Sequence, residues 1–93
     1  MRIIGEIEHP QLKITIFKMG ERTSIKFENA LYEQTFKLGL HERLSNPDAV
    51  RQMVDAAFIE QVLINFQHMH QTRMSAEQRA FPADANHHFE NII

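Results

Sequence analysis

The residue type in this 93-residue chain that is best suited to chemistry is histidine, which occurs six times. His68 and His70 are two positions apart, so on a helix their side chains would point about 200° apart and could not share one metal ion. His87 and His88 are adjacent, with no carboxylate spaced to complete a metal site. We therefore expect no metal site, and we interpret His68 and His70 as polar residues near the negative end of a helix dipole.

Hydrolytic catalysis needs a nucleophile with a base within reach, and the chain offers Ser24 and Thr35 as nucleophiles and His41 as a base. Their spacing matches neither a nucleophile elbow nor a catalytic triad. We interpret the carboxylates of the strands as solvated side chains, with Glu28 paired with Lys13 across a hairpin. The sequence therefore predicts no catalytic residue and no cofactor, and it identifies no small-molecule ligand.

The composition is typical of a small soluble protein, with 43% hydrophobic residues and a net charge of −2. The chain has no cysteine, which excludes disulfides, thiolate metal sites and cysteine catalysis. Gly5 and Glu6 interrupt the N-terminal apolar residues before a signal-peptide core could form, and no apolar run is long enough to span a membrane. We expect a cytoplasmic protein.

The first forty residues have the alternation of apolar and polar side chains that is typical of β-strands. Strands are predicted at residues 2–8, 11–19, 22–28 and 31–38, with turns at His9-Pro10, Gly20-Glu21 and Asn29-Ala30. Two-residue loops at these turns would pair residues across neighbouring strands. The expected pairs are Ile7 with Leu12, Ile3 with Ile16, Ile16 with Ile25, Ile14 with Phe27, Lys13 with Glu28, Phe27 with Tyr32, and Ile25 with Gln34. The apolar side chains of the first two hairpins then share one face, whereas Gln34 is a polar residue among apolar ones.

A long helix is predicted after the strands. Asn46 can cap it, and Pro47 suits its first turn. No glycine or proline interrupts residues 47–71, so we expect one unbroken helix about 37 Å long. Phe81-Pro82 would stop any continuation.

The predicted fold is α+β, with a four-stranded antiparallel meander sheet followed by one long C-terminal helix packed on it. Residues 1–80 would form a single domain, and residues 81–93 a mobile C-terminal tail. The core residues that we predict are Ile7, Leu12, Ile14, Ile16, Ile25, Phe27, Phe36, Val54, Phe58 and Val62.

Apolar residues exceed what this fold could bury by itself. The helix has an apolar surface wider than the stripe that one sheet covers, and the second face of the sheet carries Ile4, Phe17, Met19 and Leu31. We predict a homodimer whose subunit contact includes Phe17, Met19, Ile59, Leu63 and Phe66. Exposed apolar side chains are common, and the tail could cover some of them, so a monomer is the alternative.

Two further functions stay open. The outer sheet face could bind single-stranded nucleic acid through Phe17 and Lys13, Lys26 and Lys37, although Glu6, Glu8, Glu28 and Glu33 leave that face nearly neutral. A small enzyme could form its site at the dimer interface. Binding to a membrane surface is disfavoured, because the polar side of the helix is acidic.

Residues 3–70, with the stretches IGEIEHPQLKITIFKMGERTSIKFENALYEQTFKLG and VRQMVDAAFIEQVLINF, resemble a family of small uncharacterised proteins from Bacteroides-like bacteria. This resemblance implies a small cytoplasmic bacterial protein and supplies no catalytic residues. The order of four strands and a helix is also similar to that of the Whirly-like single-strand-binding proteins, although their basic motifs do not occur here.

Overall fold

The computed structural model describes residues 1–82 and shows an α+β fold, as predicted. The strands are β1 (Arg2–Ile7), β2 (Lys13–Met19), β3 (Arg22–Glu28) and β4 (Glu33–Gly39), and they form one antiparallel sheet in the order β1-β2-β3-β4. A 3₁₀ turn (Glu42–Leu44) leads to helix α1 (Pro47–Met53) and to helix α2 (Ala56–Ala80). Of the tail predicted at residues 81–93, all but Phe81 and Pro82 lies outside the described residues.

The central hairpin has the predicted register. Ile16 lies opposite Ile25, Ile14 opposite Phe27 and Lys13 opposite Glu28. Gly20 opens the two-residue turn with a φ of 63°, which a residue with a side chain adopts only at a cost. A two-residue turn does not allow the two strands to slide past each other. The alternation of apolar and polar side chains therefore determines the register.

The two flanking hairpins differ from the predicted register by two residues. Ile7 lies opposite Ile14 and not Leu12, and Ile25 lies opposite Phe36 and not Gln34. Both loops are longer than predicted, and the second is closed by the side chain of Asn29, which accepts hydrogen bonds from the backbone N–H groups of Leu31 (3.0 Å) and Tyr32 (2.8 Å). A shift by two residues keeps every side chain on its predicted face.

A bulge in β1 places Ile3 and Ile4 on the faces opposite to those predicted. The register shifts between Ile3 and Gly5, so that Ile4 is an extra residue. Ile3 therefore lies opposite Phe17 and is 58% exposed, instead of facing Ile16 in the core. Ile4 packs against the core instead.

The predicted continuous helix is two helices. Asn46 caps α1 as expected, since its side-chain oxygen accepts a hydrogen bond from the N–H of Ala49 (2.9 Å). The chain leaves the helical conformation at Val54, and Asp55 then caps α2 by accepting a hydrogen bond from the N–H of Phe58 (2.9 Å). The prediction of one unbroken helix over residues 47–71 places Asp55 in the helix interior, although aspartate is among the best N-cap residues.

The break lets the two helices follow different strands on the same face of the sheet. In α1, Arg51 donates a hydrogen bond to the backbone carbonyl of Glu6 in β1. In α2, Phe58 stacks edge-on against Phe36 of β4, with 5.1 Å between ring centroids. We call this side of the sheet the helix-covered face and the opposite side the outer face.

The core lies between the sheet and the helices and contains all ten residues predicted for it. Seven of them are buried, and Ile7, Phe36 and Phe58 are half-buried against them. The rings of Phe27, Phe36 and Phe58 contact one another at centroid distances of 5.1 to 5.8 Å, and such pairs contribute about 1 kcal/mol each beyond their buried area. Val50 and Phe66, which are absent from the predicted core, are fully buried.

Candidate interaction surface

The outer face has a small, buried centre and a charged rim. Alternation along β2 and β3 places Thr15, Phe17 and Ser24 at its centre, each no more than 8% exposed. Around them the strands present three acidic and four basic side chains, namely Glu6, Glu28, Glu33, Lys13, Arg22, Lys26 and Lys37. These side chains give the face a small net charge of +1.

One lysine of this rim is already neutralised within the chain. Lys26 Nζ lies 3.4 Å from Glu28 Oε1 and 3.8 Å from Glu33 Oε2. The two glutamates are opposite each other on β3 and β4, where like charges repel, and the ammonium between them offsets that repulsion. Because the groups are partly solvated, the pairs contribute at most about 1 kcal/mol each to stability.

One end of the outer face is apolar. Ile3 lies opposite Phe17, and Met19 follows Phe17 by two residues on the same side of β2. Ile3 is 58% and Met19 60% exposed, so both have a large apolar surface in contact with solvent. We refer to Ile3, Phe17 and Met19 as the apolar corner.

The five residues predicted for the subunit contact lie on two different sides of the sheet. Phe17 and Met19 belong to the outer face, whereas Ile59, Leu63 and Phe66 of α2 pack on the helix-covered face. Phe66 is fully buried within the single chain, which leaves no surface of its side chain for a partner, and Ile59 and Leu63 are half-buried against the core.

The most exposed large apolar side chains of the described residues lie outside the helices. Within residues 1–82, the exposed large apolar side chains are those of Met1, Ile3, Met19, Leu40 and Phe81. None of these belongs to α2, because α2 packs its apolar residues on the sheet on which it lies.

His70 connects α2 to the loop between β3 and β4. Its Nδ1 atom lies 2.9 Å from the hydroxyl of Tyr32, in hydrogen-bond contact. Arg73, one turn further on, donates to Glu77 Oε2 at 2.7 Å. A hydrogen bond with Tyr32, and then hydrogen bonding to Glu77, raises the pKa of Arg73 above its ordinary value, so its guanidinium stays charged.

This cluster borders a shallow groove of about 570 Å³ between the loop and α2, lined by Tyr32, Asn65, His68, Met69, Thr72, Arg73 and Ala76. Its polar side chains bond to neighbouring groups of the same chain, such as Tyr32 to His70 and Arg73 to Glu77, which indicates a structural role. Sequence reasoning missed the pairing of Tyr32 with His70, since 38 positions separate them and no local pattern links them.

Among the described residues, the remaining candidates for chemistry make no hydrogen bond with one another. Ser24 and Thr35 lie on the outer face, while the His41 ring accepts a hydrogen bond from the N–H of Arg43 (3.1 Å) and thus caps the 3₁₀ turn. Within residues 1–82, no group of three or more metal-ligating side chains could hold an ion. The pair His87-His88 lies outside the described residues.

Comparisons with known proteins add no relative. No protein-family model matches the chain, and neither a curated protein nor a solved structure is significantly similar to it. The resemblance to proteins of Bacteroides-like bacteria stays a prediction. In the part of the chain that the structure describes, no helix has the length and apolar character needed to cross a membrane.

Proposed function

We propose that this protein is a homodimeric interaction module of the bacterial cytoplasm, without catalytic activity of its own. In this proposal the chain associates with a second copy, and the pair presents its outer sheet faces to other proteins. The absence of cysteine suits a reducing compartment, where disulfides do not form.

The observation that carries the proposal is the combination of an exposed apolar corner with a face that is close to neutral. Ile3 and Met19 offer apolar area that a protein partner could bury, at a gain of about 25 cal/mol per Å². With four basic side chains and three glutamates, the face would neither repel a protein partner nor strongly attract a polyanion.

The same geometry disfavours the alternative of single-stranded nucleic-acid binding. A stacking platform needs exposed aromatic rings, but Phe17 is only 8% exposed. A phosphate-binding groove needs free cations, whereas Lys26 is paired with Glu28 and Glu33.

Light scattering coupled to size-exclusion chromatography tests the proposal across micromolar concentrations. The expected mass is twice the 10.9 kDa of one chain, and a mass of one chain throughout the range would overturn the homodimer. In parallel, a labelled single-stranded oligonucleotide at low salt is expected to show no shift. A shift that salt reverses would replace this proposal with the nucleic-acid alternative.

A further inference from the structure

The two edges of the sheet differ in how well they are protected. At the β1 edge, the bulge at Ile4 interrupts the strand, and Arg51 of α1 donates to the carbonyl of Glu6 at 3.4 Å. A side chain at Gly5 would meet Arg51 at 3.0 Å and Pro47 at 3.1 Å, so α1 lies directly against this strand. Bulges and covering elements of this kind prevent an edge strand from pairing with another chain.

The β4 edge is less protected within residues 1–82, since its bulge, at Leu38, lies near the end of the strand and no described element covers it. β4 is seven residues long, and its pairing with β3 is regular from Glu33 to Lys37. No described element pairs with its other side. An open, regular edge is a template for one more strand.

The backbone hydrogen bond that closes the preceding loop shows which groups of β4 point outward. The N–H of Asn29 donates to the carbonyl of Tyr32 at 3.0 Å, so these two residues form a hydrogen-bonded pair. Such pairs alternate along an antiparallel ladder. The N–H and C=O groups of Glu33, Thr35 and Lys37 therefore point away from β3, as a row of six groups free to pair.

We propose that β4 pairs antiparallel with β4 of a second copy, across a two-fold axis at Thr35, and that the two sheets thereby join into one of eight strands. This inference rests on the proposed homodimer and names its contact. Thr35 then faces Thr35 of the partner subunit, and Glu33 faces Lys37 of the partner subunit. Symmetry repeats the second pair, so two opposite-charge pairs flank the axis.

The charges of β4 select this register over its neighbours. An axis at Gln34 or Phe36 would lose both opposite-charge pairs, and an axis at Glu33 or Lys37 would place two copies of that residue directly opposite each other. With the axis at Thr35, each carboxylate lies opposite an ammonium on the outer face. On the helix-covered face, Phe36, which is half-buried in the single chain, would gain cover from Gln34 of the partner subunit.

A charge reversal tests the register. Glu33→Lys and Lys37→Glu each place like charges opposite each other twice per dimer, and each is expected to weaken dimerisation about tenfold. The double variant places opposite charges together again and is expected to recover an affinity within about threefold of wild type. Circular dichroism of each variant checks that the chain is folded. Dimer dissociation constants that neither single substitution changes would overturn the inference.

A proximity measurement separates failure of this inference from failure of the homodimer. The chain has no cysteine, so Thr35→Cys supplies one thiol per chain, next to its symmetry mate, and a short bismaleimide should give a covalent dimer. Met19→Cys, at the apolar corner, is the matched control and should not cross-link. A dimer by light scattering that cross-links only through Met19→Cys would refute pairing through β4 and keep the homodimer, whereas a single-chain mass would refute both.

Discussion

Removing the N-cap of α2 should show how much Asp55 stabilises the fold at the break between the two helices. Asp55 is exposed, and its side-chain oxygen accepts one hydrogen bond, from the N–H of Phe58 at 2.9 Å. Asp55→Ala leaves that N–H without its partner, and losing an N-cap of this kind costs about 1 kcal/mol. For a domain of this size, the loss corresponds to a melting temperature lower by about 4–8 °C.

The assay is thermal unfolding by circular dichroism at one fixed protein concentration, since association would also shift the midpoint. Asp55→Asn is the matched control, because asparagine caps a helix about as well as aspartate does and should leave the midpoint within about 2 °C of wild type. The reasoning is refuted if Asp55→Ala melts with wild type or above it. The break would then be held by packing of the helices, or a continuous helix would be the more stable form.

Three further substitutions test the fold and the apolar corner. Gly20→Ala should cost about 1–2 kcal/mol in urea unfolding, because the positive φ strains any side chain although the space is open; an unchanged midpoint would contradict this. Phe27→Ala should cost about 3–5 kcal/mol by the same measurement, because the ring is fully buried, and a loss below about 1 kcal/mol would show a core able to collapse. Met19→Ser should change stability by less than about 0.5 kcal/mol yet lower the binding of a hydrophobic dye, and unchanged dye binding would mean that the apolar corner is not accessible.

The sequence was sufficient for the pairing of β2 with β3 but not for the flanking hairpins. The turn at Gly20 has only two residues, so alternation leaves one possible register. The other two loops are longer. The side chain of Asn29 closes the loop between β3 and β4, where the register differs by two residues, and the bulge at Ile4 shifts the register of β1 by one residue. An odd shift changes the face of a side chain, which is why Ile3 was misplaced while Phe36 was not.

The candidate surface was predictable only in part. Alternation placed Phe17 and Met19 correctly on the second face, since it depends on the strand alone. It could not show that Phe66 is buried, because that depends on how far α2 extends over the sheet. Likewise, only the tertiary structure shows that α1 lies against the edge at β1 and that no described element pairs with the edge at β4.

The sequence by itself determined the strands, the face of most side chains and the core, because these follow from periodicities of two and of about 3.6 residues within short segments. The tertiary structure decided which apolar residues reach solvent and which strand edge lies open among residues 1–82. Those features depend on contacts such as Arg51 with Glu6, and Tyr32 with His70, which join residues 45 and 38 positions apart. No local period encodes contacts between such distant segments.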